Sequence, residues 1–135
     1  YKLILKKCPQ FFGKTKQVRL VPVPTARMRR HWRGFNQTEL LAKGLKKITG
    51  LEIWYGLKRT SYKGAQAGAR AKERRQNLAG VFEVASVLPP GVSEIILIDD
   101  VITTGTTMKM CALALLQKFP QLKVNGFCLA SRLAF

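Results

Sequence analysis

Two carboxylates stand side by side at Asp99 and Asp100, and Thr103, Thr104, Gly105, Thr106 and Thr107 follow within a few residues. The chain has only seven acidic residues against 24 lysines and arginines, so a paired acid is a conspicuous use of a scarce type. Ionised carboxylates accept hydrogen bonds and donate none. They suit sugar hydroxyls or a cation, and they repel a phosphate. Threonine hydroxyls can donate to an anion, and Gly105 lets the backbone turn and approach a ligand closely. A helix starting near Thr106 would present unpaired N–H groups and the positive end of its dipole, which together bind phosphate. Hydroxyl acceptors on one side and a phosphate cradle on the other describe a site for a ribose 5-phosphate.

Such a site needs elements to carry it. The run "EIILI" before Asp99 is continuously aliphatic, as in a strand buried on both faces of a parallel sheet. Ligands of open α/β sheets sit at the carboxyl ends of such strands. After Thr106, Met108, Cys111, Ala112, Leu115, Leu116 and Phe119 recur at helical spacing until Pro120 stops the helix. "KVNGFCLAS" reads as a further strand. Upstream, "VRLVPVP" (Val18 to Pro24) reads as a short strand, and its prolines make it an edge strand or one whose end becomes a loop. "NQTELLAKGLKKITG" is a helix capped by Asn36, with Glu39 at its positive end, an apolar face of Leu40, Leu41, Leu45 and Ile48, and Gly50 as its stop. "EIWYGL" and "VFEVA" are candidate strands, and "SVLPPGVS" is a turn-rich connection. Lys58 to Gln76 has no apolar face and reads as a basic loop; loops of that length are functional or disordered. Alternating strands and helices predict one α/β domain over residues 1–135, a mostly parallel central sheet flanked by helices.

The net charge is +17, which points to a polyanionic partner, most simply nucleic acid. A solvated basic surface or an acidic protein partner would also account for it. Arg27, Arg29, Arg30 and Arg33 surround Trp32, a pattern that suits a stacked single strand, although tryptophans more often pack in cores. His31 is the single histidine and has no partner that would make it a metal ligand or a base. Cys8, Cys111 and Cys128 form no C-x-x-C pair, so zinc is not expected in this fragment. The sequence has no membrane-spanning run and no signal-peptide pattern, and its cysteine usage suits the reducing cytoplasm. The aliphatics followed by two acids also resemble the magnesium strand of nucleoside triphosphatases, but the G-x-x-x-x-G-K-[ST] loop they require is absent. The simplest alternative is that Asp100 and Thr103 merely shape a strand-to-helix turn.

The stretch "IILIDDVITTGTT" resembles the phosphoribosyl pyrophosphate signature of type I phosphoribosyltransferases along its whole length. "VPVP" at 21–24, "RGFNQTELLA" at 33–42, the block from Gln66 through "ERRQNLAGVF" to Phe82, and "LASR" at 129–132 narrow the resemblance to the ComF family of competence-related proteins. The resemblance implies a type I phosphoribosyltransferase-like fold. It implies that Asp99 and Asp100 bind the ribose hydroxyls and that Thr103, Thr104, Gly105, Thr106 and Thr107 cradle the 5-phosphate. Pro24 and Thr25 would face the pyrophosphate, and the loop from Lys58 to Arg75, with Arg70, Arg74, Arg75 and nearby Asn77, would be a mobile flap. Magnesium would accompany the phosphoribosyl pyrophosphate. Departures exist: the zinc ribbon usual at the N-terminus of this family is absent from this chain, and Lys63 and Ala69 differ from the residue types common in the flap.

Two functions follow as expectations. One is a role in uptake of transforming DNA, binding phosphoribosyl pyrophosphate and single-stranded DNA through Arg27, Arg29, Arg30, Trp32 and Arg33. The resemblance places that role in the cytoplasm at the inner face of the membrane, beside a ComFA-like helicase ATPase. The other is an active phosphoribosyltransferase, a pentosyl-transferring enzyme of nucleotide metabolism, with an unknown acceptor and no DNA role. No segment that would select an acceptor is recognisable.

Overall fold

The computed structural model describes residues 16–24, 36–60 and 81–131. Along the chain these form β1 (Val18–Pro22), α1 (Gln37–Thr49), β2 (Glu52–Ile53), β3 (Leu57–Arg59), β4 (Phe82–Val84), β5 (Glu94–Ile102), α2 (Thr106–Lys118) and β6 (Lys123–Ser131). The sheet has the order β2-β1-β5-β6 with every neighbouring pair parallel, while β3 and β4 form a separate antiparallel pair. Parallel neighbours require a crossover. α1 links β1 to β2, and α2 links β5 to β6. The expected α/β architecture is therefore what forms.

β5 is the spine of the domain. Ile95 and Leu97 pack on one face with Cys111, Ala114 and Leu115 of α2 and with Trp54, Leu57 and Phe82. Ile96 and Ile98 pack on the other face with Val18, Leu20 and with Ala42 and Leu45 of α1. Both faces are covered, which is why the run carries no polar gap.

Four sequence expectations need correction. β1 is interior to the sheet, not an edge, and of the two expected alternatives it is the second that forms, the strand giving way to a loop after Pro22. Leu20 O accepts from Trp54 N on the β2 side, and Val23 N donates to Ile98 O on the β5 side. Alternation then directs the missing N–H of Pro22 toward β2, whose pairing ends at Ile53, so no ladder bond is lost. In α1, Leu45 is buried and Leu41 packs against the core as expected, but Leu40 is 52% exposed, and Thr38 and Ala42 complete the buried face. The small Ala42 allows the helix close to the sheet. Thr38 Oγ1 lies 3.0 Å from Val23 O and 2.7 Å from Asn36 Oδ1. Its one proton serves one acceptor at a time, and either way the start of α1 is held beside the end of β1.

"EIWYGL" is divided between two sheets. Trp54 leaves the parallel sheet, lays its ring where a Cβ on Gly56 would collide with it, and donates from Nε1 to Val87 O at 3.1 Å. Its ring meets Phe119 edge-on at 6.4 Å between centroids. The chain thus redirects against the C-terminal end of α2. Finally, Lys58 and Arg59 belong to a strand, not to the loop. β3 pairs with β4, and Thr60 N donates to Val81 O at 2.9 Å to close a short stem. Lys58 and Glu83 form an ion pair at 2.6 Å on its outer side. Residues 61–80, most of the expected flap, lie outside the described residues.

Candidate functional site

The strand order reverses between β1 and β5, and such a switch point opens a crevice at the carboxyl ends of the two strands. The last β1–β5 register pair is Pro22 with Ile98. β5 does not stop at Asp99 as its aliphatic run suggests. It continues to Ile102, still paired with β6 through Asp99–Cys128, Val101–Ala130 and Ile102–Ser131. Asp99 and Asp100 are therefore the first residues beyond the reach of β1. The strand alternates through them, sending Asp99 to the α2 side and Asp100 to the α1 side. A ribose held by both must lie across the exposed edge of the strand. Asp100 N donates to Asp99 Oδ1 and Val101 N donates to Asp100 Oδ1, each at 2.9 Å. One oxygen of each carboxylate is thus fixed by the backbone, which orients the other.

The threonine–glycine loop follows. Gly105 is the N-cap of α2 with φ 72°, a left-handed conformation that only glycine adopts without strain. No side chain caps this helix, and its first turn contains no acid. α1 differs: Asn36 caps it and Glu39 sits in its first turn. The first-turn N–H groups of α2 lack intrahelical acceptors. Thr106 N reaches Thr104 Oγ1 only at 3.4 Å, and the hydroxyls of Thr104 and Thr106 lie 2.8 Å apart. Thr103, Thr104, Thr106 and Thr107 are all exposed. Gly105→Ala is expected to cost about 1–2 kcal/mol through backbone strain. It should also weaken phosphate binding by narrowing the loop. Thermal melting and phosphate titration of the variant would check both effects.

Several contributors were not singled out from the sequence. Gly126 of β6 faces α2, and a Cβ there would collide with the sulfur of Met108 in the first turn of the helix. An isolated glycine in a strand pattern is a known signal of close approach, and here it brings the first turn of α2 onto the sheet. Thr38 anchors the exit of β1. Cys111 is buried, and its thiol is pushed up to about 12, chiefly by burial and then by the charge of Asp99, with Arg59 opposing. Cys128 is shifted the same way by the same two causes. Neither thiol is ionised at neutral pH, so neither is a nucleophile for this site.

Pro24 lies just past the end of β1 and is half-buried. Thr25, Arg27, Arg29, Arg30, Trp32, Arg33, Arg70, Arg74, Arg75 and Asn77 lie outside the described residues. Among the described residues no three His, Cys, Asp or Glu side chains converge as a metal cage. The two carboxylates fit a magnesium ion arriving on phosphates, because that ion typically takes one or two carboxylates and keeps its water and phosphate ligands.

No protein-family model matches the chain. The fold resembles Helicobacter pylori xanthine-guanine-hypoxanthine phosphoribosyltransferase, with a TM-score of 0.58 at 19% identity over 97% of this chain and 68% of that one. The fold is thus phosphoribosyltransferase-like. Competence protein F of Haemophilus influenzae is 37% identical over 91 residues, 66% of this chain and 40% of the relative. Competence protein ComFC of Bacillus subtilis is 32% identical over 110 residues, 82% of this chain and 43% of the relative. The domain belongs to the ComF family. DNA utilization protein YhgH of Escherichia coli K12 aligns with this ComF domain at 36% identity over 102 residues, 73% of this chain and 43% of the relative. The chain spans about two-fifths of the length of these relatives. No helix among the described residues of the ComF domain is long and apolar enough to cross a membrane.

Proposed function

We propose that the ComF domain binds phosphoribosyl pyrophosphate with magnesium across the open end of β5, and that it serves DNA uptake by also binding single-stranded DNA. The observation that carries the first half is the convergence, at one switch point, of two backbone-oriented carboxylates and an uncapped, glycine-led helix N-terminus. Asp99 and Asp100 accept from the ribose hydroxyls. The amides of α2 and the threonines take the 5-phosphate. The sugar is then held at both ends with C1 directed into the crevice, the arrangement that positions a displacement at that carbon. Magnesium, when bound, neutralises the pyrophosphate.

The second half rests on the +17 charge and on the names of the relatives, which refer to competence and DNA utilization. In this reading the domain acts at the cytoplasmic face of the membrane beside a helicase-like ATPase. Catalytic transfer to an unidentified acceptor is the second reading, favoured by the completeness of the two-ended site. Calorimetric titration with phosphoribosyl pyrophosphate and magnesium tests the first half, and absence of binding removes it. Anisotropy of a labelled oligothymidylate tests the second. Its affinity should fall steeply from about 50 to 200 mM salt, because cation–phosphate contacts release counterions. A salt-independent affinity, or none, would refute strand binding.

A further inference from the structure

The parallel ladder between β1 and β5 stops one bond short of the paired acids. In such a ladder a residue donates to the carbonyl before its partner and accepts from the N–H after it. Val23 N donates to Ile98 O at 2.9 Å. The next bond of the series would run from Asp100 N to Val23 O. Both groups are engaged elsewhere. Asp100 N donates to Asp99 Oδ1 at 2.9 Å, and the hydroxyl of Thr38 lies 3.0 Å from Val23 O. Register pairing accordingly ends at Pro22 with Ile98.

Thr38 is placed to hold that carbonyl. It is fully buried and shares the sheet-facing side of α1 with Ala42 and Leu45. Asn36 Oδ1 also lies within reach of its hydroxyl at 2.7 Å, but that oxygen already accepts from Thr38 N at 3.2 Å. The carbonyl of Val23 has lost its ladder donor, and a buried carbonyl left unpaired is costly. Thr49, at the other end of the same helix, returns its hydroxyl to Leu45 O at 2.8 Å, the ordinary habit of a helical threonine. Thr38 instead reaches back to the end of β1. A valine would fill the same space without a donor.

We propose that Thr38 is a positioning residue that holds the crevice open: by capturing Val23 O it keeps β1 from zipping onto Asp100, and Asp100 N stays available to orient the carboxylate of Asp99. This role of Thr38 rests on the phosphoribosyl pyrophosphate reading above and adds to it the contact that keeps the two acids uncovered. Without the hydroxyl, Val23 O takes Asp100 N and the ladder advances by one bond. Asp99 Oδ1 then loses the donor that fixes it. The amides at the start of α2 belong to another segment and are not involved.

Thr38→Val removes the hydroxyl at nearly constant volume, and Thr38→Ser keeps it. Each variant and the wild type are titrated calorimetrically with phosphoribosyl pyrophosphate plus magnesium and, separately, with inorganic phosphate. Exchange of the Asp100 amide proton is followed by NMR. Thr38→Val is expected to bind phosphoribosyl pyrophosphate about tenfold more weakly, because a backbone hydrogen bond must break before the acids accept a ribose. Inorganic phosphate should bind within about twofold of wild type. The Asp100 amide should exchange about tenfold more slowly, as a newly paired ladder group does. Thr38→Ser is expected to restore all three to within about threefold of wild type. Looser packing alone would lower the melting point without slowing that amide. If melting shows the valine variant unfolded, Thr38→Cys, with a weak donor in a similar volume, replaces it. Unchanged or faster exchange at Asp100 in a folded variant, or equal loss of both ligands, overturns the role of Thr38 and leaves the reading of the site standing. A wild-type chain that binds neither ligand removes that reading and this role together.

Discussion

Replacing Asp99 and Asp100 together by asparagine is expected to weaken binding of phosphoribosyl pyrophosphate by about a hundredfold or more while the domain stays folded. The geometry makes the substitution specific. In each acid Oδ1 already accepts a backbone N–H at 2.9 Å. Asparagine preserves that bond with its own oxygen, which forces its NH2 group into the place of the second carboxylate oxygen. An acceptor for a ribose hydroxyl becomes a donor. Hydrogen bonds to charged groups contribute roughly 1.5–3 kcal/mol each, so losing two of them gives the stated factor. Both residues are only partly buried, and the substitution relieves two adjacent like charges, so the variant is expected to fold. The same variant should bind inorganic phosphate as well as the wild type or better, because the α2 amides are untouched and a nearby negative charge is gone. Calorimetry with both ligands, with melting curves as control, gives the answer. An affinity for phosphoribosyl pyrophosphate within about threefold of wild type would show that the acids do not hold the sugar.

Leu115→Ala is expected to have the largest effect on stability. Leu115 has no exposed surface and sits among Ile95, Leu97, Trp54, Leu57 and Phe82, where α2 meets both the parallel sheet and the stem. Truncation of a fully buried leucine costs about 2–5 kcal/mol, the spread reflecting how far the cavity collapses. For a domain of this size that corresponds to a melting point lower by roughly 10 °C. Leu113 is the internal control. It lies two residues away on the same helix but is 46% exposed, and its truncation should stay within about 0.5 kcal/mol. Melting followed by circular dichroism separates the two. Equal shifts for Leu113 and Leu115 would mean that α2 is rotated from the packing described.

Much of the framework that carries the candidate site was legible because its signals are local. A continuous aliphatic run means a doubly covered strand, and β5 is one. A glycine among threonines ahead of a helical period means an uncapped helix start, and α2 begins at Thr106. What failed were readings that depend on neighbours. Proline in β1 suggested an edge, yet which side an N–H faces and where β2 ends decided that the missing donor costs nothing. Leu40 matched the same helical stripe as Leu41 and Leu45, which do face the core, but it is exposed, and Thr38 and Ala42 fill the buried face instead. "EIWYGL" has the composition of one strand, but the indole of Trp54 packs across Gly56 and redirects the chain.

From the sequence alone came the α/β class, the paired acids and the threonine–glycine loop as a candidate site, and the excess of cations, because each is set by composition or by spacing within one element. Only the tertiary structure decided that β5 extends past β1, so that Asp99 and Asp100 lie on opposite faces of an exposed strand end. It alone set Gly126 under Met108. Those relations join residues far apart in the chain, and they follow from strand register and the packing of one helix on one sheet, which no local pattern encodes.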